Sequence, residues 1–177
     1  AIASEREAEH AAAKEAVPFQ TGSFSRERLE VRVADMELRA GRVAGRVSAR
    51  GRRIEFELDY DPGGEPLVPF PSLRMYETPV PSSKLVSPYP STRFSGRYRV
   101  DESEVTVDGW RGMQGHNWGR RHAERYGWGH CNQWHGAGEL LLEGVTARVK
   151  LGPILAPPPT LVCVWHDGVR YVFNHAK

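Results

Sequence analysis

The chain is short of cysteine, of long apolar runs and of net charge. It has two cysteines, Cys131 and Cys163, too few for a disulfide framework, and reduced, buried thiols are favoured over a pair. No apolar run approaches the roughly 20 residues of a membrane helix. No signal peptide is visible, so a cytoplasmic location is the default expectation. A net charge of +2, with Arg alternating with acidic residues, argues against nucleic-acid binding.

Recognised metal-binding motifs are missing as well. The sequence contains no CxxC and no HExxH pattern. His130, Cys131 and His135 could in principle supply three zinc ligands. Successive residues of a strand point to opposite faces, however, so His130 and Cys131 cannot both bind one ion unless the strand is bulged. A histidine-rich metal site is therefore the least favoured interpretation, and no metal is expected.

Helix-forming sequence is confined to the amino-terminal end. Residues 1–16, AIASEREAEHAAAKEA, are rich in Ala and Glu and contain neither Gly nor Pro, which predicts a helix that Pro18 ends. Its apolar residues are small and leave it little to dock with. We therefore expect residues 1–20 to form a helical extension and residues 21–177 to form the folded β domain.

Beyond residue 24 the apolar residues alternate, which predicts strands with one dry and one solvated face. The clearest strand is IEFELDY (54–60), and LEVRV (29–33) and RVAGRVSA (42–49) precede it. Residues 61–91 contain eight of the thirteen prolines and predict a long irregular segment. The remaining strand-like segments are 93–100, 104–110, 125–134, 139–151, 160–166 and 169–175. The pattern predicts an all-β fold, with an antiparallel barrel as the first choice.

Histidine and tryptophan are concentrated in one segment, GMQGHNWGRRHAERYGWGHCNQWH, residues 112–135. It holds four of the seven histidines and three of the five tryptophans. Alternate residues share a strand face, and two predicted strands present such faces: His116 and Trp118 on one, and Tyr126, Trp128, His130 and Asn132 on the other. The glycines opposite the second set leave room for a neighbour to approach closely. Side by side, the two strands would line a cavity for a largely hydrophobic ligand, whereas the competing interpretation makes the same rings a filled core.

The stretch FSGRYRVDESEVTVDGWRGMQGHNWG and the following YGWGHCNQW resemble a known group of proteins, the carotenoid 1,2-hydratases (hydroxyneurosporene synthases) and tocopherol cyclase-like proteins. The matching features are FSG at 94–96, GW.G..GHNWG at 109–119 and the YGWGHCN strand. The resemblance covers roughly residues 75–135. It implies an antiparallel lipocalin-like (calycin) barrel that holds a terpenoid or other lipid, often one of two barrels in a longer chain, of which this sequence is expected to be a piece.

The resemblance also implies an activity. Hydratases of this group protonate an isolated alkene without a cofactor, and a His-x-Trp pair has been linked to that chemistry; His116 and Trp118 carry over as catalytic residues. These hydratases also use a Tyr and an acidic residue on a later strand, but no Tyr-x-Asp or Tyr-x-Glu follows residue 118 here. A buried imidazolium acid needs a partner, and Glu143 or Glu139 is the expected one for His116. Hydration, isomerisation, cyclisation and plain ligand binding stay open.

Three hypotheses for the function result. In the first, the barrel binds a hydrophobic isoprenoid or lipid-like small molecule, transforms it by cofactor-free acid–base chemistry and contacts a membrane peripherally. Its predicted ligand-binding residues are Trp110, Tyr126, Trp128, His130, Asn132 and Glu143. In the second, the same fold has a non-catalytic carrier or structural role. In the third, the histidines bind a metal. We take the first as the working hypothesis, with no cofactor and no nucleic acid as partner.

Overall fold

The computed structural model describes residues 11–120, 123–136, 138–148, 150–151, 154–155 and 160–173. Most of them lie in β-strands, which confirms the predicted all-β class. Strand pairs with a defined register are antiparallel throughout. No helix in this part of the chain is long and apolar enough to cross a membrane.

The larger sheet is a meander of seven strands, each hydrogen-bonded to the next along the chain. Its last two strands are long and form one hairpin, where the sequence predicts several shorter strands. The seven strands are β1 (Ser23–Phe24), β2 (Glu30–Val33), β3 (Met36–Arg39), β4 (Arg42–Ala49), β5 (Arg52–Tyr60), β6 (Ser83–Val100) and β7 (Ser103–Gly119).

The second sheet has four strands: β8 (Arg125–Cys131), β9 (Leu140–Arg148), β12 (Thr160–His166) and β13 (Val169–Phe173). Their order across the sheet is β13-β12-β9-β8. Two short strands, β10 (Lys150–Leu151) and β11 (Ile154–Leu155), pair with each other in a separate ribbon. Within the described residues neither of the larger sheets closes into a barrel. The structure therefore establishes antiparallel β architecture without establishing the predicted barrel.

The chain divides into two compact units. The first contains the described residues up to Pro62 together with Arg93–Trp110, and the second contains Gly63–Thr92 and the described residues from Arg111 onwards. Each unit has its own apolar core. The first is built on Ala11, Val47 and Ile54, with Phe56 and Val100 packed against them. The second is built on Leu67, Leu141 and Cys163, with Trp165 and Val172 packed against them.

The predicted amino-terminal helix is wrong over residues 11–16, which are not helical; residues 1–10 lie outside the described part. Ala11 is 4% exposed and belongs to the core of the first unit, so the segment does dock. Burial of small side chains against Val47 and Ile54 overrides the intrinsic helix preference of alanine. Among the described residues, the first helical turn is a 3-10 turn at Phe19–Thr21, directly after Pro18.

The proline-rich segment is only partly irregular. Residues 61–82 contain the single turn α1 (Arg74–Glu77), but β6 begins at Ser83 and includes Pro88 and Pro90. The two prolines occupy alternate positions, so their missing N–H groups fall on the same side of the strand. Ser87, which faces the other side, exchanges two main-chain hydrogen bonds with Leu67 at 2.9 and 3.0 Å. The irregular structure predicted from proline content is therefore wrong for residues 83–91, which belong to β6.

Charged side chains cover the meander of the first unit, as the alternating sequence predicts. Arg28 pairs with Glu30 and Arg46 with Asp35, each at 2.7 Å, and three of these four side chains are more than half exposed. Pairs of this kind contribute at most about 1 kcal/mol each because water screens them. They keep this face of the sheet solvated.

Two glycines in the motifs that carry the family resemblance lie where the main chain of another segment comes too close for a side chain. Gly96, in FSG, has φ +139° and a Cβ there would overlap the carbonyl oxygen of Glu57. Gly119, which ends GHNWG, has φ +150° and a Cβ would overlap the carbonyl oxygen of Ser82. Both combine a backbone conformation that side chains disfavour with a lack of space. These motif positions therefore serve the fold.

Replacing Gly119 with Ala should destabilise the protein by about 1–3 kcal/mol, because the new methyl group meets main chain that cannot move cheaply. Gly129→Ala is the matched control, since nothing lies within 4 Å of a Cβ at that position. Its effect should stay within about 0.5 kcal/mol. Urea unfolding measures both changes, and equal losses for the two variants would contradict the close contact at Gly119.

Candidate functional site

The candidate site is built around a buried carboxylate on β9. Glu143 is 3% exposed and lies two residues from Leu141, on the face of the sheet that covers the core of the second unit. The register of the sheet places His130 of β8 on one side of it and Cys163 of β12 on the other. Directly opposed residues of neighbouring strands bring their side chains together on one face.

Glu143 has two side-chain partners. The Ser87 hydroxyl lies 3.0 and 2.8 Å from its two oxygens and donates to the carboxylate. Nδ1 of His130 lies 3.0 Å from Oε2, and the His130 and Glu143 side chains are only 6% and 2% exposed. Removing a carboxylate from water is costly unless hydrogen bonds replace the lost hydration. Ser87 and His130 supply that replacement.

The contact with Glu143 leaves the other nitrogen of His130 unused. Nδ1 donates to the carboxylate, so its hydrogen is assigned there, and Nε2 faces away from Glu143. Nε2 is fully buried and has no hydrogen-bond partner among the described residues. Buried polar atoms nearly always find a partner in folded proteins, either another protein group or an ordered water.

Trp128 provides a flat apolar surface beside this histidine. It lies two residues before His130 on β8, and the two rings stack with centroids 6.1 Å apart and an interplanar angle of 13°. The indole is 50% exposed, and Tyr126, two residues earlier, is 67% exposed. The sequence predicts that these rings share one face of the strand. The near-parallel rings of Trp128 and His130 agree with that prediction.

A second group of stacked rings lies on β7. His116 and Trp118 stack at 5.1 Å, and the other neighbour of Trp118 is Tyr76, at 5.9 Å. Tyr76 comes from α1 and donates its hydroxyl hydrogen to the carbonyl of Leu85 at 3.0 Å. Burial, with smaller contributions from Cys163 and Glu143, raises the pKa of Tyr76 to about 12. Tyr76 is therefore a protonated phenol at neutral pH.

The expected side-by-side arrangement of the two aromatic strands is wrong. β7 is hydrogen-bonded to β6 in the seven-stranded sheet, whereas β8 is hydrogen-bonded to β9 in the other. Asn132 connects them: its side-chain amide donates to the carbonyls of Pro90 at 3.3 Å and Gly112 at 2.8 Å. The Asn132 amide therefore satisfies main-chain carbonyls of β6 and β7.

The glycines of β8 do not admit a closely packed neighbour. Nothing lies within 4 Å of a Cβ at Gly129, and the nearest atom at Gly127 is a methyl group of Thr146 at 3.4 Å. The rings are also more exposed than a filled core requires, since Trp118 retains 39% of its accessible surface. Trp110 is 51% exposed in the first unit, where it stands edge-on to Tyr98 at 6.3 Å.

Neither of the two acids expected to pair with His116 does so. Glu143 pairs with His130 instead, and Glu139 lies on the surface. His116 has no ion-pair partner in the described part of the chain, and its imidazole stacks on the ring of Trp118. The acid–base geometry therefore centres on His130. Sequence reasoning missed Ser87 and Tyr76, which come from the proline-rich stretch and show no periodic signal.

Both cysteines are free, and they point to opposite faces of their sheet. Cys163 is 1% exposed, and burial raises the pKa of its thiol. Cys131 is partly exposed and its Sγ donates to the carbonyl of Gln133 at 3.3 Å. Across the described ranges, no three His, Cys, Asp or Glu side chains come close enough together to hold a metal ion.

Comparison with known proteins gives two similar sequences in Mycobacterium tuberculosis. "Uncharacterized protein Rv0493c" of strain H37Rv and "Uncharacterized protein MT0513" of strain CDC 1551 are each 34% identical to this chain over 101 residues. The aligned region is 57% of this chain but only 30% of either relative, so the match spans less than a third of their length. No family model and no solved structure matches the chain.

Replacing Glu143 with Leu should lower the free energy of unfolding by about 3–5 kcal/mol, because His130 and Ser87 lose their buried partner. Glu139→Leu is the matched control on an exposed carboxylate and should change stability by no more than about 0.5 kcal/mol. Urea titrations followed by circular dichroism measure both. Equal, small effects would contradict the buried hydrogen-bond network.

The two thiols should react at very different rates with Ellman's reagent at pH 8. A raised pKa leaves less thiolate at a given pH, and only the thiolate attacks the reagent. We expect Cys131 to react in the native protein and Cys163 to react only after unfolding in urea. In Cys131→Ser the native reaction should disappear. A rapid native reaction of Cys163 would contradict its burial.

Proposed function

We propose that the second unit binds a hydrophobic small molecule of isoprenoid or lipid type and carries out cofactor-free acid–base chemistry on it at His130. The observation that carries the proposal is the buried His130–Glu143 pair, whose Nε2 lacks a partner among the described residues beside the stacked indole of Trp128. Small-molecule sites combine apolar, often aromatic surface with a few fixed polar groups. Trp128 and His130 supply one of each.

His130 is arranged to move a proton at Nε2. Glu143 accepts the Nδ1 hydrogen, which orients the ring and stabilises the imidazolium when Nε2 is protonated. In hydration, Nε2–H gives its proton to one carbon of a double bond; water adds to the other carbon and returns a proton to Nε2. The ring thus ends as it began. A positioned acid of this kind contributes about 10²–10⁴ in rate.

The indoles suit the carbocation that such a protonation creates. An aromatic face attracts a desolvated cation by about 2 kcal/mol or more. Trp128 lies against the proton-donating ring, and Trp118 carries a second flat surface between His116 and Tyr76. In this proposal His116 and Trp118 contact the ligand, and His130 delivers the proton.

We also propose that the chain is related to the carotenoid hydratase and tocopherol cyclase-like group and has its calycin-like barrel architecture. The motifs at residues 94–96 and 109–119 support this assignment. The chain-order pairing of seven consecutive strands also supports it, because up-and-down barrels connect neighbouring strands in sequence.

A ligand carrier without catalysis is the second candidate. It is favoured by His116, which lies in the motif that carries the resemblance but has no ionic partner in the described part of the chain. Deuterium incorporation distinguishes the two functions. In D₂O, a catalyst of reversible protonation labels a bound alkene, and the label is lost in His130→Gln; a carrier returns the compound unlabelled.

Native mass spectrometry of the protein purified from its host, followed by organic extraction, tests ligand binding itself. We expect an added mass that denaturation releases as a neutral lipid or isoprenoid. A protein that emerges from its host with a bare mass and takes up no such compound on incubation would contradict the proposal.

Replacing Trp128 with Ala should lower the ligand-bound fraction in that experiment at least several-fold, because the flat surface beside His130 is lost. Stability should change little, since half of the indole surface is already exposed. Trp134→Ala is the control: Trp134 is 41% exposed and lies beyond the end of β8. Equal occupancy in the two variants would show that Trp128 does not contact the ligand.

A further inference from the structure

The strand β13 (Val169–Phe173) is an open edge of the four-stranded sheet. β12 is hydrogen-bonded to it along one side, and no strand of the described residues pairs with its other side. Apart from the pairing with β12, the main chain of β13 makes no hydrogen bond to another described segment. The N–H and C=O groups on the open side are therefore available to a further strand.

β13 lacks the features that usually keep such an edge from pairing. Its five residues, VRYVF, contain neither Pro nor Lys, and its register with β12 runs without a bulge. Its single charge, Arg170, is already paired: the guanidinium bonds to Glu65 at 3.4 Å and to the carbonyl of Val68 at 3.3 Å. An added strand therefore leaves no charge on β13 without its partner.

The side chains on the outer face of β13 are apolar and exposed. Val169 is 51% exposed, Tyr171 47% and Phe173 62%. They occupy alternate positions and point away from the core, against which Val172 packs. An open edge that carries exposed apolar side chains is typical of a surface to which another β-strand is added.

We propose that β13 pairs in antiparallel fashion with β13 of a second copy of this chain, with Tyr171 on the two-fold axis. In this register Val169 of one copy lies opposite Phe173 of the other, and Arg170 lies opposite Val172. The two four-stranded sheets then join into one continuous sheet. Each copy supplies the main-chain partners that the open edge of the other lacks.

The sequence of β13 is complementary to itself in this register. All five residues are paired, and the combination of Val169 with Phe173, a β-branched residue with an aromatic one, occurs twice. A shift of two residues in either direction leaves only three of the residues paired. One of these shifts also brings Arg170 directly opposite its counterpart, which like-charge repulsion disfavours. The pairing centred on Tyr171 is therefore selected over its neighbours.

Sedimentation equilibrium of the intact chain over the micromolar range tests the pairing. We expect a monomer–dimer equilibrium in the wild type. Tyr171→Lys should raise the dissociation constant at least about five-fold, because it places two ammonium groups opposite each other on the axis. Tyr126→Lys, which replaces an exposed tyrosine on the other edge strand, β8, is the matched control and should leave the constant unchanged. Circular dichroism checks that both variants are folded.

Two results would overturn the proposal. One is a wild-type chain that stays monomeric at every concentration, which would leave the edge to a strand of a different protein or to none. The other is an equal loss of affinity in Tyr171→Lys and Tyr126→Lys, which would place the contact elsewhere.

Disulfide cross-linking tests the register directly. In a Cys131→Ser background, Tyr171→Cys places two thiols opposite each other on the axis, with Cβ atoms about 5 Å apart. Val169→Cys in the same background is the control, because the two copies of residue 169 lie about 13 Å apart along the strands. With diamide as the oxidant, we expect the first variant to form a covalent dimer at least ten-fold faster. Equal rates would contradict pairing about Tyr171.

Discussion

The second unit depends on the burial of one carboxylate. Glu143 gives up its hydration in the middle of a sheet, and a buried charge of this kind is tolerated only when hydrogen bonds replace the lost water. Ser87 and His130 supply those bonds from β6 and β8, so one side chain connects strands of two different sheets. The geometry of the site follows from this requirement.

The same requirement determines what His130 can do. A carboxylate at Nδ1 holds the ring in one orientation and favours the tautomer with its hydrogen on Nδ1, which leaves Nε2 as the nitrogen without a partner among the described residues. Trp128 lies nearly parallel to the imidazole, with ring centroids 6.1 Å apart, and adds an apolar surface that remains half exposed. The buried hydrogen bond between Glu143 and His130 is therefore the basis both of the packing in this unit and of the role proposed for His130.

Local patterns predicted much of this arrangement. Alternation identified the strands around residues 42–60 and placed Trp128 and His130 on one face of β8. Glu143 could be named as an acid near the site, but its partner could not, because the register between β8 and β9 selects His130 over His116. Ser87 was not predicted for a similar reason. It lies 56 residues from Glu143 in the sequence, on a strand whose prolines predict irregular structure.

The sequence by itself determined the antiparallel β class, the alternation of dry and solvated faces, and the grouping of histidine and tryptophan at alternate positions. These properties depend on side-chain direction along a single strand, which repeats every two residues. The tertiary structure decided which strands are neighbours, which histidine meets the carboxylate and which rings remain exposed. Such choices depend on register and packing between segments far apart in the chain, where no local periodicity operates.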